Sequence, residues 1–286
     1  MRTAVLGARG QLGSDLCQRL RGEVIPLNRA DVELTDSAKL RQVLTDLRPD
    51  VVVNCAAYNF VDRAETEREA AMAVNAWAVH DLAKICRDLN SCLVQFSTDY
   101  VFGFDEQRQT PLTEVDSPGP LSVYGLSKLA GEYLVRSTGP KHLVIRTCGL
   151  YGVRGSGGKG GNFVETMLRL AKEGKSLRIV NDQRCTPSFT VDVADATIGL
   201  IEAGATGLFH VTNAGDCTWC EFASEIMRAS GIDVKVAPIT SAEFGAAARR
   251  PPYSVLSNQR LKDASVKAPR NWREALATYL QERTNR

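Results

Sequence analysis

The run Arg2-Thr3-Ala4-Val5-Leu6-Gly7-Ala8-Arg9-Gly10-Gln11-Leu12-Gly13 decides the fold. Ala4-Val5-Leu6 is a short apolar segment of the kind that forms a fully buried strand. It stops at a glycine, and Gly7, Gly10 and Gly13 then recur every third residue. Leu12, Leu16 and Leu20 follow at helical spacing, so strand, glycine turn and helix come in immediate succession. That order puts a helix N-terminus, with its unpaired N–H groups and positive dipole end, at the carboxyl end of a strand. Such a site receives a pyrophosphate. A G-x-x-G-x-x-G string alone is a weak signal, and its context is what makes it informative.

Downstream, strands and helices alternate. Glu23-Val24-Ile25-Pro26-Leu27 reads as a second strand, ending at Asn28-Arg29. Asp36 caps a helix whose stripe of Leu40, Val43, Leu44 and Leu47 stops before Pro49. Val51-Val52-Val53-Asn54-Cys55-Ala56-Ala57 is a third strand with a small-residue end, a helical pattern covers about 67–89, and 92–96 and 142–146 are the fourth and fifth strands. Near-continuous apolar strands between helices predict an α/β fold, a Rossmann-type doubly wound parallel sheet over 1–150.

The second half is less regular. A glycine-rich loop spans 152–161, followed by a strand at 177–180, a helix over 189–202 and a strand at 207–211. A helix starting after Thr218, a loop at Arg249-Arg250-Pro251-Pro252 and a C-terminal helix over 272–279 complete the chain. Residues 151–286 are expected to complete the sheet, over about 177–212, and to form a smaller C-terminal substrate-binding lobe. The loop around Lys159 is no phosphate-binding P-loop, because Val153 and Gly160 stand where glycine and Ser or Thr are required. It reads as a flexible connector or a mobile lid.

With 35 basic and 33 acidic residues the net charge is +2, which gives no bulk attraction for nucleic acid or membrane. No apolar stretch reaches the length of a membrane span, and the N-terminus enters a strand directly, so a cytoplasmic protein is expected. Most of the eight cysteines (Cys17, Cys55, Cys86, Cys92, Cys148) lie in apolar runs, as buried thiols of a reducing compartment do. Cys217-Thr218-Trp219-Cys220 lacks the second pair a zinc site needs; it reads as a helix start, with Thr218 as N-cap and Glu221 as third helical residue. His80, His142 and His210 form no ligand pattern.

Two stretches point to a reaction. Ser97-Thr98-Asp99-Tyr100-Val101-Phe102 leaves the fourth strand at its carboxyl end, where α/β sheets collect ligand contacts. In Tyr124-Gly125-Leu126-Ser127-Lys128, Tyr and Lys are four apart and share a helix face. A phenol titrates near pH ~10, and a neighbouring ammonium lowers that value toward the range of a general acid. With a hydroxyl donor nearby, such a pair can polarise a carbonyl and protonate its oxygen as its carbon accepts a hydride. The alternative, an ordinary exposed helix pair, loses ground beside the glycine turn and the Ser-Thr strand end.

These residues together resemble the dTDP-4-dehydrorhamnose reductase family, in the sugar-nucleotide branch of the extended short-chain dehydrogenases/reductases. The likeness covers nearly the whole chain: the glycine turn, Leu47 to Asn54, Val61-Asp62 with Ala64-Glu65, Ser97 to Phe102, Tyr124 to Lys128 with Ala130-Gly131-Glu132, and Asn181-Asp182-Gln183. It implies Tyr124 as general acid, Lys128 as its tuner and ribose ligand, and Thr98 as orienter of a 4-keto oxygen. It implies a sugar facing Val61, Asp62 and Tyr100. It places a cofactor against Gly7, Gly10, Gln11, Leu12, Gly13, Leu34, Ala56 and Ala57.

The chain departs from the family at several points. Gly149, in Arg146-Thr147-Cys148-Gly149, stands where a Trp near the sugar and nicotinamide is usual, which is expected to open the pocket. Asn59 replaces a usual Thr, and Glu33 a usual Asp near the adenosine. Some relatives pair through a metal held by glutamates. Of those positions only Asp15 carries a carboxylate here, so no metal is expected and a homodimer stays open.

Asp31 or Glu33 suits the free 2′-hydroxyl of NAD, whereas Arg29 suits the 2′-phosphate of NADP, and NADPH is slightly favoured over NADH. Arg249 and Arg250 are phosphate candidates for the substrate, or else a solvated basic loop. The expected activity is NAD(P)H-dependent reduction of the 4-keto group of a nucleotide-linked 6-deoxyhexose. The alternatives are an epimerase or dehydratase with tightly bound NAD, and a non-catalytic regulatory subunit on the same scaffold.

Overall fold

The computed structural model describes residues 1–154 and 161–284. The first half runs β1 (Arg2–Leu6), α1 (Gln11–Arg19), β2 (Glu23–Leu27), α2 (Ser37–Leu47), β3 (Val51–Asn54), α3 (Val61–Ala64) and α4 (Arg68–Met72). A π-helical turn, Ala73–Trp77, leads into α5 (Ala78–Asp88), β4 (Cys92–Thr98), α6 (Val123–Thr138) and β5 (His142–Thr147). The second half contains β6 (Leu150–Tyr151), α7 (Phe163–Lys172), β7 (Leu177–Val180), β8 (Arg184–Cys185), β9 (Ser188–Phe189), α8 (Thr190–Glu202) and β10 (Gly207–His210). It ends with β11 (Cys217–Thr218), α9 (Trp219–Ala229), β12 (Val236–Ile239), α10 (Ser241–Phe244), α11 (Gln259–Asp263) and α12 (Trp272–Thr284).

Six strands form the main sheet in the order β10-β5-β4-β3-β1-β2, every neighbouring pair parallel. Side-chain alternation along β1 explains why both faces are covered. Val5 packs with Leu12, Leu16, Val193 and Ala194 of α1 and α8. Ala4 and Leu6 face the other way, into a cluster with Leu40, Leu44, Val79, Leu82 and Val135 of α2, α5 and α6. Pro26 is tolerated because β2 is an edge strand, where a missing N–H breaks no ladder.

The chain order reverses between β1 and β3, which makes that gap the topological switch point where ligands bind. The expected sheet completion over 177–212 holds only for β10. β7 pairs instead with β12 in a separate two-stranded sheet, because Leu177 belongs to a third core with Val164, Met167, Phe222 and Trp272. Around that core α7, α9 and α12 gather. Thr218 and Glu221 form a reciprocal capping box on α9, as their spacing predicts. Asp36 caps α2, and its carboxylate accepts the Lys39 N–H. All eight cysteines are free thiols. Lys159 and the centre of its glycine loop lie outside the described residues.

Candidate active site

The glycine turn forms one wall of a cleft. Gly10 N-caps α1 without a side-chain cap, which leaves the first-turn N–H groups facing outward. A Cβ at Gly13 would lie 2.3 Å from the Gly7 carbonyl oxygen, so only glycine lets the turn close this tightly. Gly10, Gln11, Leu12 and Gly13 line a cavity of about 560 Å³ that also contains Thr98, Tyr124, Lys128, Asn59, Phe60 and Gly149. Gly7, Arg29, Glu33, Leu34, Ala56 and Ala57 line a second cavity of about 430 Å³. The two share Ala57 and Phe60, so one trough runs over the switch point.

Thr98 ends β4, where its hydroxyl accepts the Tyr100 N–H at 3.2 Å and donates to the Asp99 carboxylate at 3.1 Å. Tyr124 lies in the first turn of α6, which Ser122 caps by accepting the Gly125 N–H. Burial pushes the phenol up to about 12, the Thr98 hydroxyl pulls it down, and the charges of Asp99 and Cys148 raise it. The phenol therefore keeps its proton throughout the neutral range.

One turn on, Lys128 Nζ donates to the Phe96 carbonyl at 2.7 Å. Burial brings this ammonium down to about 8, against the raising effect of Glu132. The expected lowering of the phenol by the ammonium is therefore not what governs Tyr124 here. The ammonium is committed to a strand carbonyl, and dehydration of the phenol dominates.

A chain of amides ties this corner to the switch point. Gln95 Nε2 donates to the same Phe96 carbonyl at 2.8 Å, Asn54 Nδ2 donates to Gln95 Oε1 at 2.8 Å, and Asn54 Oδ1 accepts the Ala56 N–H at 3.1 Å.

The remaining expected residues are held by specific partners. Asp31 accepts the Asn28 N–H at 2.8 Å and so closes the turn after β2, while Arg29 pairs with Glu33 at the mouth of the second cavity. Gln11 Oε1 accepts from the Gly152 N–H at 2.7 Å and from Asn162 Nδ2 at 3.2 Å, so its amide oxygen ties the glycine turn to the start of α7. Asp15 is buried and accepts from the Thr190 hydroxyl at 2.5 Å.

Val61 and Asp62 follow Phe60 into α3, outside the main cavity. Asp62 is bridged by Arg250, and the Tyr100 ring meets the Tyr124 ring edge-on, with centroids 6.0 Å apart. Arg249 and Arg250 line a separate cavity of about 350 Å³ with Asp182 and Gln183. Arg249 pairs with Glu106. The gap expected at Gly149 is partly filled from another element: a Cβ there would lie 3.1 Å from Trp219 Cη2.

Several residues of this corner carry no sequence signal of their own. Asn75, presented by the π-helical turn, accepts the Tyr58 N–H and donates to the Tyr58 carbonyl and the Ser127 hydroxyl, which fastens the loop after β3 to α6. Asn162 caps α7 and donates to Gly152 and Gln11. The π turn leaves no mark in a helical periodicity, and a lone Asn before a helix reads as a cap and nothing more.

The chain matches the family model described as RmlD substrate binding domain over residues 1–285. It is 40% identical over 284 residues to the spore coat polysaccharide biosynthesis protein SpsK of Bacillus subtilis, covering 98% of this chain and 97% of that one. A crystal structure of a dTDP-4-dehydrorhamnose reductase from Clostridium acetobutylicum superposes with a TM-score of 0.93 at 40% identity, covering 99% of each chain. The dTDP-4-dehydrorhamnose reductase of Bacillus anthracis, solved in complex with NADP, gives 0.92 at 36% identity, covering 98% of this chain and 99% of that one. The chain belongs to the dTDP-4-dehydrorhamnose reductase family.

Proposed function

We propose that this chain reduces the 4-keto group of a nucleotide-linked 6-deoxyhexose, dTDP-4-dehydro-L-rhamnose to dTDP-L-rhamnose, with NADPH as reductant. The observation that carries the reading is the meeting of Thr98, Tyr124 and Lys128 in the cavity that also holds the glycine turn.

The residues fit a dinucleotide. The uncapped N-terminus of α1 suits the pyrophosphate, and the trough leads from there past Ala57 to Arg29, a cation suited to a 2′-phosphate. When bound, the nicotinamide supplies a hydride. Tyr124 holds the proton that the carbonyl oxygen takes up, and its raised pKa keeps that proton in place until the oxygen gains charge. The Thr98 hydroxyl, fixed by Asp99 and Tyr100, orients the same oxygen. Lys128, one helical turn on in the same cavity, supplies a donor for a ribose hydroxyl. The complex of the Bacillus anthracis relative with NADP supports the cofactor choice.

The same reading makes the chain a cytoplasmic enzyme with a nucleotide-sugar partner. Among the described residues no helix is long and apolar enough to cross a membrane.

Incubation with dTDP-4-dehydro-L-rhamnose should consume NADPH, followed by nicotinamide absorbance, and Tyr124→Phe should lower kcat by about 10²–10⁴ while NADPH still binds. No oxidation of NADPH or NADH by the wild-type chain would overturn the reading. A purified chain that carries tightly bound NAD and turns over without added reductant would point to an epimerase instead.

A further inference from the structure

The reacting groups sit on two elements, Thr98 on β4 and Tyr124 with Lys128 on α6, and a buried carboxylate joins those elements directly below them. Glu132 lies one helical turn beyond Lys128 and is 2% exposed. Its Oε1 accepts the Ser97 hydroxyl at 2.5 Å and Arg146 Nε at 2.9 Å, and its Oε2 accepts Arg146 Nη2 at 2.7 Å. Ser97 is the residue before Thr98, and Arg146 is its register partner on β5. The guanidinium in turn lies over the Phe102 ring, 4.9 Å from its centroid.

A buried ion pair adds little net stability over a well-packed apolar replacement, so stability alone does not account for one at this spot. Three features argue for a role in the chemistry. The Ser97 bond fixes the last residues of β4 against α6. The carboxylate stands at the i+4 position from the ammonium, on the same helix face. Its negative charge favours the charged form of Lys128 against the burial that opposes it. The other titratable group acting on Lys128 is the Cys55 thiol from the end of β3, and Arg146 lies on the far side of Glu132.

We propose that Glu132 is a positioning residue for the reduction, locking the Thr98 end of β4 to the helix of Tyr124 and Lys128 and setting a carboxylate at the i+4 position from the Lys128 ammonium. The proposal rests on the reductase reading above.

Lys128 can be titrated by carbon NMR of labelled lysine side chains, which needs no substrate. In Glu132→Gln, Lys128 should titrate about one pH unit lower than in the wild type, and the basic limb of kcat should move down with it. In Ser97→Ala, which keeps both charges, kcat should fall about tenfold with KM for NADPH held within about twofold. An unchanged Lys128 titration in Glu132→Gln overturns the proposal, and so does an unchanged kcat in Ser97→Ala. If Glu132→Gln does not fold, Ser97→Ala, which keeps both buried charges, carries the test through kcat. Absence of wild-type turnover would sink the reductase reading, while the titration would still decide whether Glu132 holds the charge on Lys128.

Discussion

Arg250 clasps Asp62 with both ends of its guanidinium, Nη1 to Oδ1 at 2.9 Å and Nη2 to Oδ2 at 2.7 Å, across 188 residues of sequence. Ala248 adds a backbone N–H to the same Oδ1 at 3.0 Å. The carboxyl sits below its usual range, mainly because of the Arg250 bond. The clasp joins α3 to the loop before α11, and Phe60, the residue before α3, lines the main cavity.

Breaking that clasp should act on substrate binding more than on folding. Arg250 is 16% exposed and Asp62 47%, so a partly solvated pair contributes no more than about 1 kcal/mol to stability. Arg250→Ala is expected to raise KM for the sugar nucleotide about tenfold or more, with kcat and NADPH affinity changed far less. Steady-state kinetics at varied sugar nucleotide checks this. A loss confined to kcat would place Arg250 elsewhere in the mechanism.

Arg29 should decide the choice between the two nicotinamides. It is held by Glu33 four residues on, at the mouth of the cavity that Leu34 and Ala56 line. Arg29→Ala should lower kcat/KM for NADPH about tenfold, equivalent to about 1.4 kcal/mol, and leave NADH nearly unaffected. Glu33→Gln, which releases the guanidinium, should shift the ratio toward NADPH. Equal losses with both cofactors would show that Arg29 does not read the 2′-phosphate.

Gly149 is poorly suited to a side chain in this fold. Its φ is +51°, and an added Cβ would meet Trp219 Cη2 at 3.1 Å and Pro187 Cα at 3.2 Å. The left-handed backbone costs an L-residue about 1–2 kcal/mol before any crowding is counted. Gly149→Ala should therefore lower Tm, and Gly149→Trp should lower it further and reduce turnover. Trp219→Leu should recover part of the Gly149→Ala loss, which thermal melts of the single and double variants would reveal.

His210 should make the fold acid-sensitive. It ends β10, buried against Phe102 and Arg146, and its Nδ1 meets the Leu112 carbonyl at 3.2 Å. Burial first and the Arg146 charge second push its pKa down from 6.5 to about 3. The unfolded chain then binds a proton below pH 6.5 that the folded chain refuses until about pH 3, so stability falls as pH drops through that window. Each unit contributes about 1.4 kcal/mol at most. His210→Gln, which can still donate to Leu112, should show a shallower fall in Tm between about pH 6.5 and pH 4. Coincident slopes would acquit His210.

Much of the site can be read from the chain because its signals are local. Gly7 to Gly13 work within one strand–turn–helix unit, and Tyr124 and Lys128 are neighbours on one helix face. Thr98 is marked by its place at a strand end. Local patterns also predict the strand at Glu23–Leu27 and the Thr218 capping box, since backbone geometry and caps depend on a few adjacent residues. The strand at Leu177–Val180 is equally legible as a strand, yet its partner is not, because pairing with β12 is settled by the third core rather than by its own four residues.

What the sequence by itself determined is the doubly wound sheet, the tight glycine turn and the helix-face pairing of Tyr124 with Lys128 near the strand end at Thr98. Periodicity, glycine spacing and side-chain chemistry are properties of short segments. What only the tertiary structure decided is how those groups are held and charged. Lys128 faces the Phe96 carbonyl, Asp31 serves a turn, Asp62 meets Arg250, and Trp219 stands behind Gly149. Each of these depends on residues far apart in the chain. Burial, which sets the pKa of Tyr124 and Lys128, exists only once the sheet and its covering helices have closed around them.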